Sequence, residues 1–328
     1  VLKRMRFLGI AAIMLLLVVL AACGGSGSNE SSESNGDNGG SNKETSNEEG
    51  SNESSNGDTV SEIGQKELTI PYVAWSSAVA SNHVMEVVLE EAGYDVTLKQ
   101  VNSGAMYTSV SDGSADATVC VWLPHTDASY WEEYKEDLEH LGPNLEGAPL
   151  GLVVPEYMDV NSIEDLKNNT NSVGDNTDYT ITGIEPGAGQ MKLTEEEVMP
   201  EYGLDDWTLQ ASSSATMATS LGDAIENEEP IVVTLWSPHW TFSEYDLKYL
   251  EDPKNIYGDP DNINTIVRKG LKEDAPKAQK ILDQFKWSKD QIGEVMVKIN
   301  EGMDPAKAAE EWVSNNQDAV SEWTKGTE

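Results

Sequence analysis

The sequence predicts an α/β protein of two similar lobes, each with a mainly parallel sheet. Two observations carry this. Strand-like and helix-like segments alternate from residue 66 onward, the pattern that builds parallel sheets flanked by helices. One pattern also occurs twice. Met106-Tyr107-Thr108-Ser109-Val110-Ser111-Asp112 leads into an apolar run ending Trp122-Leu123-Pro124-His125. Met217-Ala218-Thr219-Ser220-Leu221-Gly222-Asp223 leads into another ending Trp236-Ser237-Pro238-His239. Upstream, Gly93-Tyr94-Asp95-Val96-Thr97-Leu98 is echoed by Gly203-Leu204-Asp205-Asp206-Trp207-Thr208-Leu209. Two similar units imply two lobes, each ending a strand in a tryptophan at the same topological point. Such lobes wall a cleft with indoles from both sides.

The first segment reads as a targeting signal. Lys3, Arg4 and Arg6 precede an apolar run over 7–20, shorter than the ~18 residues of a spanning helix. It ends in Leu20-Ala21-Ala22-Cys23. The pattern predicts a lipoprotein signal peptide over 1–22, with Cys23 then acylated and held on the outer face of the cell membrane. An ordinary signal peptide that happens to contain a cysteine is the alternative. Residues 24–65 are Ser, Asn, Gly and Glu with almost no apolar side chain. They bury too little surface to fold, so 23–65 is expected to be a disordered, acylated tether.

The folded part follows in order. Residues 68–74 read as a strand, although Pro71 weakens a central position. Residues 78–92 place Val84, Val88 and Ala92 at helical spacing, and Gly93 closes the helix. Then come a strand over 96–101, a short helix over 105–110 and a strand over 117–122. Residues 151–155 are extended, and Ser162-Ile163-Glu164-Asp165 opens a helix. In the second unit, 179–184, 208–211 and 231–236 read as strands, with Glu185-Pro186-Gly187-Ala188-Gly189 as a tight loop. Thr194 with Glu197 reads as a capping box. Residues 264–267 run back to the first lobe. Ser288 with Gln291, and Asp304 before Pro305, open amphipathic helices that pack on it. The expected division is lobe 1 over 66–155 and 264–328, and lobe 2 over 156–263.

The net charge of -37 argues against nucleic acid as a partner, because a phosphate backbone is repelled. It suits solubility and salty surroundings, where screening weakens self-repulsion. With Cys23 acylated, Cys120 has no disulfide partner and reads as a buried small hydrophobe. A secreted hydrolase is disfavoured by the sequence. The chain has four histidines, no Gly-x-Ser-x-Gly elbow and no His-Glu-x-x-His motif. No metal and no cofactor is expected.

Trp75, Trp122 and Trp236 stand at strand ends, where open α/β sheets bind ligands. Burial in a core is the competing reading for each. Indoles that face one another suit a quaternary ammonium, which has no N–H to donate and sheds water more readily than a compact ammonium. Each desolvated ring contact is worth ~2 kcal/mol. The glycines of the loop let the backbone approach closely, and the free N–H groups of Gly189 and Gln190 suit an anion. A plain turn is the alternative there. Together the two features suit a ligand with a trimethylammonium at one end and a carboxylate at the other.

On Tyr72-Val73-Ala74-Trp75, Trp122-Leu123-Pro124, Gly183-Ile184-Glu185-Pro186-Gly187-Ala188-Gly189 and Trp236-Ser237-Pro238-His239-Trp240, the chain resembles a known family. These are the glycine betaine-binding lipoproteins of osmoprotectant ABC transporters, the OpuA substrate-binding family. The resemblance runs over essentially all of 66–328. It implies a periplasmic-binding-protein type II fold, with two α/β lobes joined by two crossing strands and closing on ligand. It implies an extracytoplasmic, lipid-anchored receptor that passes glycine betaine to permease and ATPase subunits. The family's prism of three tryptophans maps to Trp75, Trp122 and Trp236, and its carboxylate-binding amides to Gly189 and Gln190. Some relatives carry the glycine-loop half first. The reversed order here is that of a circular permutation, which leaves the site intact.

One position departs from the pattern. Relatives often have a histidine five residues after the second tryptophan, donating to the ligand carboxylate. Here that position is Asp127, and the histidine is His125. Either the loop shifts and His125 takes the role, or Asp127 sits in the site. Its charge would then repel a carboxylate and favour choline, whose hydroxyl can donate to an acid. The glycine loop favours the first, since a choline site has no use for it. His239, next to Trp240, is expected to pack behind the cleft. A choline- or carnitine-preferring protein of the same fold, and a receptor that feeds a sensor, stand as alternatives.

Overall fold

A computed structural model describes residue 60 and residues 62–328. The expected signal peptide, Cys23 and most of the tether lie outside the described residues. The last part of the expected tether is tied down. The Val60 N–H donates to the Gly326 carbonyl at 2.7 Å, and the Gln65 N–H to the Asp274 carbonyl at 2.7 Å. Ile63 packs against the core, and its carbonyl accepts from the Tyr94 hydroxyl at 3.0 Å. The folded unit therefore begins some residues before 66, because one apolar side chain finds a place on the core.

Among the described residues ten strands are formed: β1 (Glu67–Tyr72), β2 (Asp95–Gln100), β3 (Ala117–Leu123), β4 (Leu138–Ala148), β5 (Leu150–Pro155), β6 (Thr180–Thr182), β7 (Thr208–Gln210), β8 (Val232–Trp236), β9 (Leu247–Tyr249) and β10 (Asp261–Arg268). They make a pair β1-β2, a three-stranded sheet β3-β10-β4 and a five-stranded sheet β7-β6-β8-β5-β9. β1 with β2, and β6 with β7 and β8, are parallel. β10 runs antiparallel to β3 and β4, and β5 antiparallel to β8 and β9. The pairing is thus mixed rather than mainly parallel. β5 and β10 are the segments by which the chain leaves the first half and returns to it, and each lies against the direction of its neighbours.

The expected lobe boundaries shift accordingly. The expected division puts β5 in lobe 1, yet it pairs with β8 and β9 in the second sheet. The outward crossing therefore falls at Pro149, between β4 and β5. The return joins the first half at Asp261, three residues before 264.

Helix Ser76–Glu91 buries Ala80, Val84, Val88 and Leu89 against β2 and β3 and against helices Lys289–Asn300 and Pro305–Asn315. The C-terminal helices therefore pack on the first half, as expected. Ser288 forms a reciprocal capping box with Gln291, Ser162 forms one with Asp165, and Asp304 accepts from the Lys307 N–H.

Thr194 does not cap a helix. The helix begins earlier, at Gly189, and passes through a π-helical turn over Thr194–Val198. The Thr194 hydroxyl donates to the Gln190 carbonyl at 2.7 Å and accepts from the Tyr257 hydroxyl at 2.8 Å. Burial pushes the Tyr257 phenol well up, so this hydroxyl stays protonated and needs its acceptor. Thr194→Val leaves it unpaired, and thermal or urea unfolding should show a loss of about 1–3 kcal/mol.

Candidate ligand-binding site

Trp122 and Trp236 occupy the carboxyl ends of β3 and β8. Trp75 follows β1, in the turn before helix Ser76–Glu91. With Thr126, Leu150, Ile184, Ala188, Gly189 and Gln190 the three indoles line one pocket, about 270 Å³ of space partly continuous with solvent. Trp75 and Trp236 meet edge to face, with centroids 6.4 Å apart at 62°. All three are almost wholly buried; they belong to the hydrophobic core and also form the wall of this pocket.

Hydrogen bonds and edge contacts fix the rings. Trp75 Nε1 donates to a Glu185 carboxylate oxygen, and Trp236 Nε1 to Ser77 Oγ at 3.3 Å. His239 stands edge-on to Trp236, with centroids 5.0 Å apart. Its Nδ1 accepts from the Thr241 N–H at 3.3 Å, so Nε2 carries the proton and donates to Ser76 Oγ at 3.0 Å. Burial lowers the His239 pKa to about 3, and the ring is a neutral brace behind the cleft, as expected.

The glycine loop belongs to the second half and lies against the first. The Tyr130 hydroxyl donates to the Gly187 carbonyl at 2.7 Å, and the Lys192 ammonium sits 3.7 Å from the centre of the Tyr130 ring. Gly187 has φ +88°, a conformation glycine adopts freely. At Gly189 a Cβ would stand 2.3 Å from the Thr126 carbonyl oxygen, so the approach of the two halves admits no side chain there. The amides of Gly189 and Gln190 open the helix and have no acceptor within it. The Gln190 side chain is occupied elsewhere, its Nε2 donating to the carbonyls of Gly151 at 3.1 Å and Leu235 at 3.0 Å. It offers the pocket its backbone N–H.

His125 and Asp127 lie elsewhere than expected. His125 is exposed and does not line the pocket; its ring lies against Gly258. The cause is Asp261. One of its oxygens accepts from the His125 N–H at 2.7 Å and the other from the Thr126 N–H at 2.9 Å. This clamp turns the imidazole outward and sets Thr126 on the pocket. Asp127 is fully buried behind the wall. Its Oδ2 accepts from the Trp122 N–H at 2.9 Å, and its own N–H donates to the Trp122 carbonyl at 2.9 Å. It ties the turn to the end of β3. Thr126 and Glu185 were not singled out from the sequence. Glu185 lay inside a quoted motif, but nothing local marks its carboxylate as the partner of an indole 110 positions away.

A pocket at strand ends, walled by two α/β halves joined by two crossing strands, defines a two-lobed binding protein of the periplasmic-binding-protein type II fold. Residues 66–315 match the substrate-binding domain of ABC-type glycine betaine transport systems. The chain belongs to this family, whose members bind and deliver solutes and are not enzymes. It is similar to the glycine betaine/carnitine transport binding protein GbuC of Listeria monocytogenes serotype 1/2a (strain 10403S), at 51% identity over 158 residues. That stretch is 48% of this chain and 52% of the Listeria protein, so the match spans about half of each. It is similar to lactococcal OpuAC in its closed, liganded conformation with glycine betaine, at 45% identity and a TM-score of 0.75. That match covers 80% of this chain and 100% of the other. An ABC-transporter choline binding protein in complex with choline matches at 27% identity and a TM-score of 0.74, covering 80% of this chain and 92% of that one.

Burial raises the Asp127 pKa from 3.8 to about 7, with Asp261 adding to the rise and the Trp122 amide, the Tyr107 hydroxyl and Lys192 opposing it. The folded state therefore holds this proton at a pH where the unfolded chain has lost it. Stability falls as pH rises from about 4 to about 7 and is level above. Asp127→Asn keeps a carbonyl acceptor for the Trp122 N–H and removes the titration. Relative to that variant, the wild type should lose on the order of a few kcal/mol across this window, read as the difference between their unfolding curves at each pH.

Proposed function

We propose that this protein is the extracytoplasmic receptor of an ABC importer that captures glycine betaine for osmoprotection. Trp75, Trp122 and Trp236 enclose the trimethylammonium, and the backbone amides of Gly189 and Gln190 hold the carboxylate. The observation that carries this reading is the convergence of three indoles, from both halves, on the pocket where those amides open a helix. The likeness to a solved relative closed around glycine betaine supports it.

Each group has work that its chemistry suits. The methyl groups spread the cation's charge, and each desolvated ring face contributes about 2 kcal/mol. The Glu185 carboxylate accepts from the Trp75 N–H, which adds negative potential to that ring. Burial raises the Glu185 pKa, and the Trp75 bond opposes the rise. The first half supplies Trp75 and Trp122, and the second supplies Trp236 and the amides. A bound ligand therefore bridges the halves and favours the closed state by its extra contacts there. Permease and ATPase subunits receive the ligand, and lipid on Cys23 holds the receptor at the outer face of the cell membrane. Among the described residues no helix is long and apolar enough to cross a membrane.

A second ligand, carnitine, is favoured by the likeness to a glycine betaine/carnitine binding protein. It has the same two charged ends with a longer span between them. Choline is disfavoured. The acid that would accept its hydroxyl, Asp127, is behind the wall, with Oδ2 committed to the Trp122 amide.

Calorimetric titration of the lipid-free protein tests the reading against glycine betaine, proline betaine, carnitine and choline. Glycine betaine should bind and change tryptophan fluorescence. Trp75→Ala, Trp122→Ala and Trp236→Ala should each weaken it roughly 30-fold, the equivalent of one ring contact. A flat response to betaine with tight binding of choline would contradict the proposal.

A further inference from the structure

We propose that Thr126 is a specificity-determining residue, its hydroxyl donating to the ligand carboxylate beside the amides of Gly189 and Gln190. The inference rests on the betaine reading above. Thr126 lines the pocket between Trp122 and Gly189 and is only 8% exposed. Its Oγ1 is buried and has no hydrogen-bond partner in the protein. A buried hydroxyl left unpaired is costly, and one on the wall of a binding pocket finds its partner in what the pocket holds.

The backbone of Thr126 is fixed from both sides. Its N–H donates to Asp261 at 2.9 Å. Its carbonyl oxygen abuts Gly189 so closely that a Cβ there would lie 2.3 Å away. The residue is thereby held against Gly189, at the carboxylate end of the proposed ligand.

The neighbouring side chains do not serve. His125 is exposed and outside the lining. Asp127 has given Oδ2 to the Trp122 amide; its Oδ1, also without a partner, lies beside Gly189, but Asp127 is not on the pocket lining. A threonine hydroxyl donates without bringing a charge, so it serves an anion and is wasted on a ligand end that cannot accept. A site built around such a donor rejects ligands lacking the acceptor, because the donor then stays buried and unpaired.

The test compares wild type, Thr126→Val and Thr126→Ser by calorimetry against glycine betaine and against tetramethylammonium, which carries the same cation and no carboxylate. Thr126→Val should weaken glycine betaine about tenfold and leave tetramethylammonium within about twofold. Thr126→Ser should retain wild-type affinity for both. The proposal is overturned if Thr126→Val binds glycine betaine as wild type does, or if both variants lose equally. It is also overturned if betaine and tetramethylammonium weaken together. Failure of the wild type to bind glycine betaine would instead overturn the ligand reading, and this proposal with it. Should Thr126→Val not fold, a crystal structure of the wild type with glycine betaine decides. Oγ1 within about 3 Å of a carboxylate oxygen supports the proposal, and a longer separation overturns it.

Discussion

A permanently methylated ammonium cannot donate a hydrogen bond, so a protein that selects one must do it with the negative faces of aromatic rings. Those faces have to come from several directions at once. On the function proposed for this chain they come from strand ends in two halves, and the rest of the structure serves that requirement. β3 and β8 bring Trp122 and Trp236 to the pocket from different sheets. Ser77, Glu185 and His239 hold the indoles of Trp236 and Trp75 through a hydrogen bond or an edge contact, and Asp127 holds the backbone of Trp122. Two of those supports, Trp75 to Glu185 and Trp236 to Ser77, run from one half to the other. Ring orientation and closure are therefore a single event.

The opposite end of the pocket depends on a missing side chain. At Gly189 the second half lies so close against the Thr126 carbonyl of the first that no side chain fits between them. The same contact carries the first amides of a helix to the pocket and fixes the turn over 122–127. The proposed ligand, a zwitterion, has no net charge for the field to steer, and the charge of -37 bears instead on solubility and salt tolerance.

Much of this was legible in the sequence, for identifiable reasons. The repeated Trp-x-Pro-His placed Trp122 and Trp236 at equivalent strand ends, and the glycine-rich loop announced a close approach of backbone. Local chemistry, such as the capping boxes at Ser162 and Ser288, was also readable. What failed depended on partners far along the chain. β4 contains Gly142 and Pro143 and pairs irregularly with β10, so it carries no strand signal of its own. β5 reads as a strand, but nothing in it tells which sheet it joins. Thr194 looked like a cap because its acceptor Gln190 and its donor Tyr257 are visible only in the fold. The choice among His125, Thr126 and Asp127 is made by Asp261, more than 130 positions later. Residue type pointed to the histidine; the clamp turned the threonine inward.

The central claim, that the cage reads charge on a methylated nitrogen rather than its bulk, has a direct test. Glycine betaine is compared by calorimetry with its neutral-carbon counterpart, 3,3-dimethylbutyrate, which keeps the carboxylate and closely mimics the shape while replacing nitrogen by carbon. Three ring contacts at about 2 kcal/mol each predict that the carbon compound binds at least 100-fold more weakly. Equal binding of the two would contradict the account, because the pocket would then be recognising shape and carboxylate alone.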